Sequence, residues 1–143
     1  MDTTPHVSLR LIETADRLAH GWPLGSSFVE EFWLPVMGPS AVAVLRWIDR
    51  RADQFGRTTT IDLAELALAI GLGASTSKHS PIVRTLDRLV RFDAARIDAI
   101  DDAAPVLSVF THLFAVPARL VARLPYRLQV EHRRAVTALA GVA

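Results

Sequence analysis

Three arginines near the middle of the chain follow the spacing of a helix. Arg84, Arg88 and Arg91 are separated by steps of four and three residues, so a helix would present them on one face. A guanidinium group donates several N–H groups in a planar fork, which suits phosphate oxygens and the O6 and N7 acceptors of guanine. The chemistry that this pattern predicts is therefore the recognition of an anion or of a base edge.

Polar residues close to these arginines are candidates for the same binding surface. They lie on the outward side of the predicted helix, in the loop before it, or at the start of the strand after it. The candidate binding residues are Lys78, His79, Arg84, Thr85, Arg88, Arg91 and Arg96. Asp87 is the one acidic residue between Lys78 and Arg91. An alternative for this surface is that Asp87 pairs locally with Arg84 or Arg91 and that the helix face is merely solvated.

Two short helices must hold these side chains. Residues 61–72 have the apolar spacing of an amphipathic helix, with Asp62 as the N-cap and Gly71 as the stop. After a polar loop, Ser80 as N-cap and Pro81 in the first turn predict the start of the helix that carries the arginines. The apolar side of this second helix is predicted to pack in the core, which leaves the arginines in solvent.

The neighbouring segments complete a characteristic order of elements. Residues 40–54 predict a first amphipathic helix, and residues 58–60 predict a short strand. Two β-prone segments within residues 96–110 flank an acidic stretch at 101–105, which predicts a hairpin. The order of helix, strand, helix, helix and hairpin resembles a winged helix-turn-helix, the DNA-binding fold of many small bacterial regulators and replication proteins. The resemblance covers residues 40–110 and depends on this order.

The resemblance implies how the arginines would be used. The second helix of the pair would lie in the major groove, while the hairpin and the helix ends would contact phosphates. It implies sequence-specific binding of double-stranded DNA in transcriptional regulation. Two alternatives stay open: a winged-helix protein-interaction module without DNA binding, and a plasmid or phage replication or partition factor. The first is favoured by the acidic hairpin, the net charge of only +1 and the aromatic residues between positions 28 and 33.

The flanks of this region are predicted to be helical. The apolar stripe from Val7 to Ala19 predicts an N-terminal helix, and Pro117 opens helices that continue to Leu139. We expect a mainly α fold with a small β-hairpin, in which a winged helix-turn-helix core has extra N- and C-terminal helices. The expected divisions are an N-terminal helical arm over residues 1–39, the core over 40–112, and a C-terminal helical segment over 113–143, packed with the core as one domain. The N- and C-terminal helices predict a homodimer, which would suit a palindromic DNA site.

Composition and motifs argue against several other functions. The chain has 143 residues, half of them hydrophobic, which suffices for a buried core, and it has no cysteine for disulfides or thiolate metal sites. It lacks the histidine spacings of zinc enzymes, a glycine-rich phosphate loop and a Gly-x-Ser-x-Gly motif, so we predict no metal, no cofactor, no catalytic residues and no enzymatic activity. Its apolar stretches are too short to cross a bilayer, so we expect a cytoplasmic protein with no membrane association.

Overall fold

The fold contains a four-stranded mixed sheet. The computed structural model describes residues 5–54, 58–98 and 105–141. Within these ranges the strands are β1 (His6–Ile12), β2 (Trp22–Pro23), β3 (Thr59–Asp62), β4 (Ala95–Asp98), β5 (Val106–Phe110) and β6 (His112–Leu113). The sheet has the order β3-β1-β5-β4, and β2 pairs with β6 in a separate ribbon. β1 is antiparallel to β3 and parallel to β5, whereas β5 is antiparallel to β4.

This sheet shows that the expected mainly α fold with one small hairpin is wrong. β4 and β5 form the antiparallel pair that the sequence predicts. That pair is only half of the sheet, however, because β1 lies between β5 and β3. Residues 101–104, which make up most of the predicted acidic tip, lie outside the described residues.

Local capping signals correctly place the two central helices. The described helices are α1 (Ala15–His20), α2 (Leu34–Met37), α3 (Pro39–Arg50), α4 (Leu63–Ala69), α5 (Pro81–Arg91), α6 (Ala118–Val121) and α7 (Tyr126–Gly141), with a π-helical turn at Val29–Trp33 and a 3-10 turn at Ala52–Gln54. The Asp62 carboxylate accepts hydrogen bonds from two amides in the first turn of α4, and the Ser80 hydroxyl accepts one from the Val83 amide in α5. Each such cap stabilises a helix by about 1 kcal/mol. None of the described helices is long and apolar enough to span a membrane.

The N-terminal segment departs most from the sequence prediction. The helix predicted over residues 7–19 is present only as α1, and the preceding residues form β1. Val7, Leu9 and Leu11 alternate with other residues, which is the period of a strand with one apolar side. Val7 and Leu11 also fit the i, i+4 spacing of a helix, so the local pattern favours both structures. Pairing with β3 and β5 decides between them.

The two faces of the sheet differ in polarity. On one face, Leu9 joins a buried cluster with Leu66 of α4 and Leu89 of α5. Because side chains alternate along a strand, the opposite face carries Arg10 of β1 beside Ser108 of β5. We call this opposite side the outer sheet face, formed by Arg10, Arg96, Asp98, Ser108 and Phe110.

A buried histidine connects α7 to the rest of the protein. His132 is 6% exposed, and its Nε2 accepts a hydrogen bond from the Val116 amide at 3.1 Å. The ring centroids of Phe28 and Phe32 lie 5.5 and 5.3 Å from that of the imidazole. Burial lowers the pKa of His132 below its ordinary value, and an imidazole that accepts at Nε2 is neutral. These contacts give His132 a structural role.

Candidate nucleic-acid interface

Helix α5 presents three of the predicted arginines to solvent. Arg84, Arg88 and Arg91 are exposed and line one shallow groove together with Asp87. The other side of the helix supplies buried residues to the core, which fixes the orientation of the exposed side. We call Arg84, Asp87, Arg88 and Arg91 the α5 surface. The structure thus brings these arginines together, in line with their spacing in the sequence.

The arginines of the α5 surface have no acidic partner within the described ranges. Arginines elsewhere do form ion pairs with carboxylates, and these are Arg10, Arg17, Arg46, Arg96 and Arg127. Among the residues that the structure describes, Arg84, Arg88 and Arg91 form no ion pair, although Asp87 lies in the same groove. The local pairing of Asp87 with Arg84 or Arg91, which was the alternative for this surface, is therefore not seen. The three guanidinium groups remain available to an external anion.

The two edges of the α5 surface meet different neighbours. Arg88 lies at the edge nearest the start of α3. Gly38 directly precedes α3, and a Cβ atom placed on it would lie 3.5 Å from the Nη1 atom of Arg88. Gly38 has a φ of +89°, a conformation that L side chains rarely adopt, so the chain keeps this position small beside Arg88. Asp87 lies at the other edge and also lines an apolar cleft of about 210 Å³ between α5 and the β4–β5 pair, with Val90 and Ile97 among its walls. The surface is therefore bounded by α3 on one side and by the hairpin on the other.

Thr85 does not belong to this surface. It is 2% exposed, and its hydroxyl donates a hydrogen bond to the Pro81 carbonyl at 2.7 Å. Its position along α5 places it on the same side as the buried residues Ile82 and Leu89, at spacings of three and four. The outward placement predicted for Thr85 is wrong, because it followed the polarity of the side chain and ignored its angle on the helix.

Lys78 and His79 lie in the loop that leads into α5. Both side chains are exposed, as expected for residues that could contact a ligand from the end of the helix. Neither forms a side-chain hydrogen bond or an ion pair with another residue in the described part of the chain. They therefore add two polar groups near the start of α5.

Arg96 lies on the opposite side of the hairpin from α5. Its neighbour Ile97 lines the cleft against α5, so strand alternation directs Arg96 to the outer sheet face. There the Nε of Arg96 donates to both carboxylate oxygens of Asp98 at 3.1 Å. The same carboxylate accepts hydrogen bonds from Ser108 at 2.6 Å and from Arg10 at 2.9 Å. The Ser108 hydroxyl and the Arg10 and Arg96 guanidiniums hold the pKa of Asp98 far below its usual range.

This network on the outer sheet face was not predicted from the sequence. Arg10 also donates through Nε to the Ser108 hydroxyl at 2.7 Å, and Ser108 is fully buried. The relevant signal would have been the polar residues at alternate positions of β1, β4 and β5, but it requires knowledge that β1 is a strand. The DNA contact expected of Arg96 stays a prediction, and the structure places this side chain on the outer sheet face, away from the arginines of α5.

Comparisons with protein families, with curated proteins and with solved structures find no match. Within the described ranges, no group of three or more histidine, aspartate or glutamate side chains could hold a metal ion. In the described part of the chain, the α5 surface places three arginines without an ion-pair partner on one helix face.

Proposed function

We propose that this protein binds double-stranded DNA through the α5 surface and acts in transcriptional regulation. One observation carries the proposal: three exposed arginines lie on one face of an eleven-residue helix without an acidic partner among the described residues. The major groove of DNA is about 12 Å wide and admits a helix. A guanidinium fork fits both the phosphates that border the groove and the guanines within it.

The distribution of charge supports a local interface. The net charge of the chain is only +1, so the protein as a whole has little long-range attraction for a polyanion. On α5, in contrast, three cations are held side by side, and their mutual repulsion is relieved when phosphates approach. Each neutralised phosphate adds about −0.9 to the slope of log affinity against log salt, so three contacts predict a slope of about −2.7.

The proposal depends on α5 and not on membership of a family. The order of α3, β3, α4, α5 and the β4–β5 pair follows the sequence prediction, but β1 is inserted between β3 and β5. A replication or partition factor would use the same surface on a different DNA target. The predicted homodimer stays a prediction that sedimentation can test, and α1, the helix found within the predicted N-terminal one, has six residues.

A protein-interaction module is the second candidate function. The observation that favours it is the apolar cleft beside α5, where Ile97 is 62% exposed. A protein partner seated there would bury apolar area and would be little affected by salt, whereas DNA binding weakens steeply as salt rises. Salt dependence therefore distinguishes the two candidates.

The test is binding to fluorescent duplexes of genomic fragments and of random sequence, at about 50 and 200 mM salt. The wild type is compared with the double variant Arg84→Ala, Arg88→Ala. We expect tight, salt-sensitive binding that falls about 30-fold or more in the double variant, since each lost bidentate contact costs about 1–3 kcal/mol.

The matched control is Arg119→Ala, Arg123→Ala. It removes the same charge from two exposed arginines outside α5 and should retain the wild-type affinity. Circular dichroism and thermal unfolding confirm that both double variants are folded. Equal affinity of the two double variants, or no binding by the wild type at low salt, would contradict the proposal.

A further inference from the structure

An aspartate lies within the proposed DNA interface. Asp87 is exposed and lines the same groove as Arg84, Arg88 and Arg91. A carboxylate repels phosphate, so Asp87 weakens any contact that α5 makes with the DNA backbone alone. On a surface that bound only phosphates, this carboxylate would lower the affinity without any gain.

Asp87 also does not serve to neutralise its neighbours. Its side chain forms no ion pair or hydrogen bond with any residue that the structure describes, although Arg84 and Arg91 stand three and four positions away. The chain does use this spacing for pairing elsewhere, because Arg127 on α7 donates to Glu131 at 3.3 Å. The carboxylate of Asp87 is therefore an unoccupied acceptor among free donors.

We propose that Asp87 is a specificity-determining residue that accepts a hydrogen bond from the exocyclic amino group of cytosine in the major groove. This inference rests on the DNA binding proposed for the α5 surface. Cytosine N4 is the donor that aspartate and glutamate carboxylates accept from, while guanine O6 and N7 accept from arginine. An aspartate beside arginines on one helix face therefore matches a target that contains both guanine and cytosine.

The carboxylate also acts against the wrong base. Where thymine or guanine replaces cytosine, Asp87 faces a carbonyl oxygen and is left without a donor. A mismatched base pair in a specific site typically lowers the affinity by about 5- to 150-fold. Asp87 thus lowers the affinity of α5 for DNA in general and restores it only at the matching base.

The experiment is selection of bound duplexes from a random-sequence pool, followed by sequencing and by affinity measurements on the selected site. The wild type is compared with Asp87→Asn and Asp87→Ala. The control is Asp53→Asn, which makes the same change of charge at an exposed aspartate in the 3-10 turn after α3.

We expect the wild type and Asp53→Asn to select a site with cytosine at one defined position. Asp87→Asn should exchange that cytosine for adenine, because an amide pairs with adenine N6 and N7, and Asp87→Ala should lose the preference there. Both Asp87 variants should bind random-sequence DNA more tightly than the wild type, because a negative charge has been removed.

Selection of an unchanged site by all proteins would overturn this inference, even if the Asp87 variants bind all DNA more tightly, since Asp87 would then act only by repelling phosphate. That result would leave the proposed function intact. If the wild type selects no DNA at all, the proposed function fails and the role of Asp87 fails with it.

Discussion

The α5 surface and the outer sheet face both carry arginines, but in the described part of the chain only the arginines of the outer sheet face are paired with a carboxylate. On the outer sheet face, Arg10 and Arg96 share the carboxylate of Asp98, and Arg17 lies buried over the ring of Phe110. On α5, the three arginines meet no carboxylate among the described residues. The number of arginines on a surface therefore does not indicate its function. A guanidinium with a partner inside the protein stabilises the fold, and one without a partner is available to a ligand.

The largest effect on stability is expected from Arg17→Ala. The Arg17 guanidinium lies 3.4 Å from the ring centroid of Phe110, and it donates to the carbonyls of His112 and Asp93 at 3.2 and 3.1 Å. Its loss leaves these partly buried acceptors unpaired and uncovers the buried Phe110 ring, which should lower the free energy of unfolding by about 3 kcal/mol. Urea denaturation measures this change. The exposed Arg50→Ala should change stability by less than about 0.5 kcal/mol, and equal effects of the two variants would show that the contacts of Arg17 do not stabilise the fold.

A smaller loss of stability is expected from Ser108→Ala. The Ser108 hydroxyl accepts from Arg10 and donates to Asp98, so its removal takes one partner from each charged group. We expect the free energy of unfolding to decrease by about 1 kcal/mol, which is the usual net contribution of one internal hydrogen bond. The DNA affinity expected from the proposed function should be unchanged at a temperature where the protein is folded. A weaker DNA complex without a loss of stability would extend the proposed DNA interface to the outer sheet face.

The smallest expected effect on stability is its dependence on pH in mild acid. Neither set of arginines produces this dependence. Arginines stay charged in mild acid, and the pKa of Asp98 is so far lowered that its contribution to stability is lost only in strong acid. The folded-state pKa of His132 is lowered from 6.5, so in mild acid the unfolded chain takes up a proton that the folded chain does not. Stability should therefore be full above about pH 6.5 and decrease as the pH falls through the lowered pKa.

The variant His132→Gln isolates this contribution. A glutamine oxygen can accept from the Val116 amide and does not titrate in this range. The Tm of the wild type should fall between about pH 7 and pH 5, whereas that of the variant should change little. Parallel losses of Tm in both proteins would assign the acid sensitivity to other groups.

Features set by neighbouring residues could be predicted from the sequence. Asp62 and Ser80 mark the starts of α4 and α5 because a capping hydrogen bond spans only two or three residues. The arginines of α5 share a face because helix geometry fixes the angle between positions i, i+4 and i+7. The same rule applied to Thr85 would have placed it in the core.

Features set by distant pairing could not be predicted in this way. Val7, Leu9 and Leu11 fit either a strand or a helix, and only contact with β3 and β5 decides. Strand alternation separates Arg96 from Ile97, but it does not say which of them faces α5. That choice depends on how the whole sheet packs, which a local pattern does not contain.

The position of β1 also shapes the order in which the protein folds. Arg10 and Ser108, which are neighbours across β1 and β5, are 98 positions apart in the chain. Closing so long a loop costs conformational entropy before the pairing repays it, so this step slows folding. The helices and the β4–β5 pair join residues that are close in sequence and can form first. Until β1 pairs with it, β5 keeps an open edge, and during synthesis all four strands of the sheet have to emerge before β1 and β5 can pair.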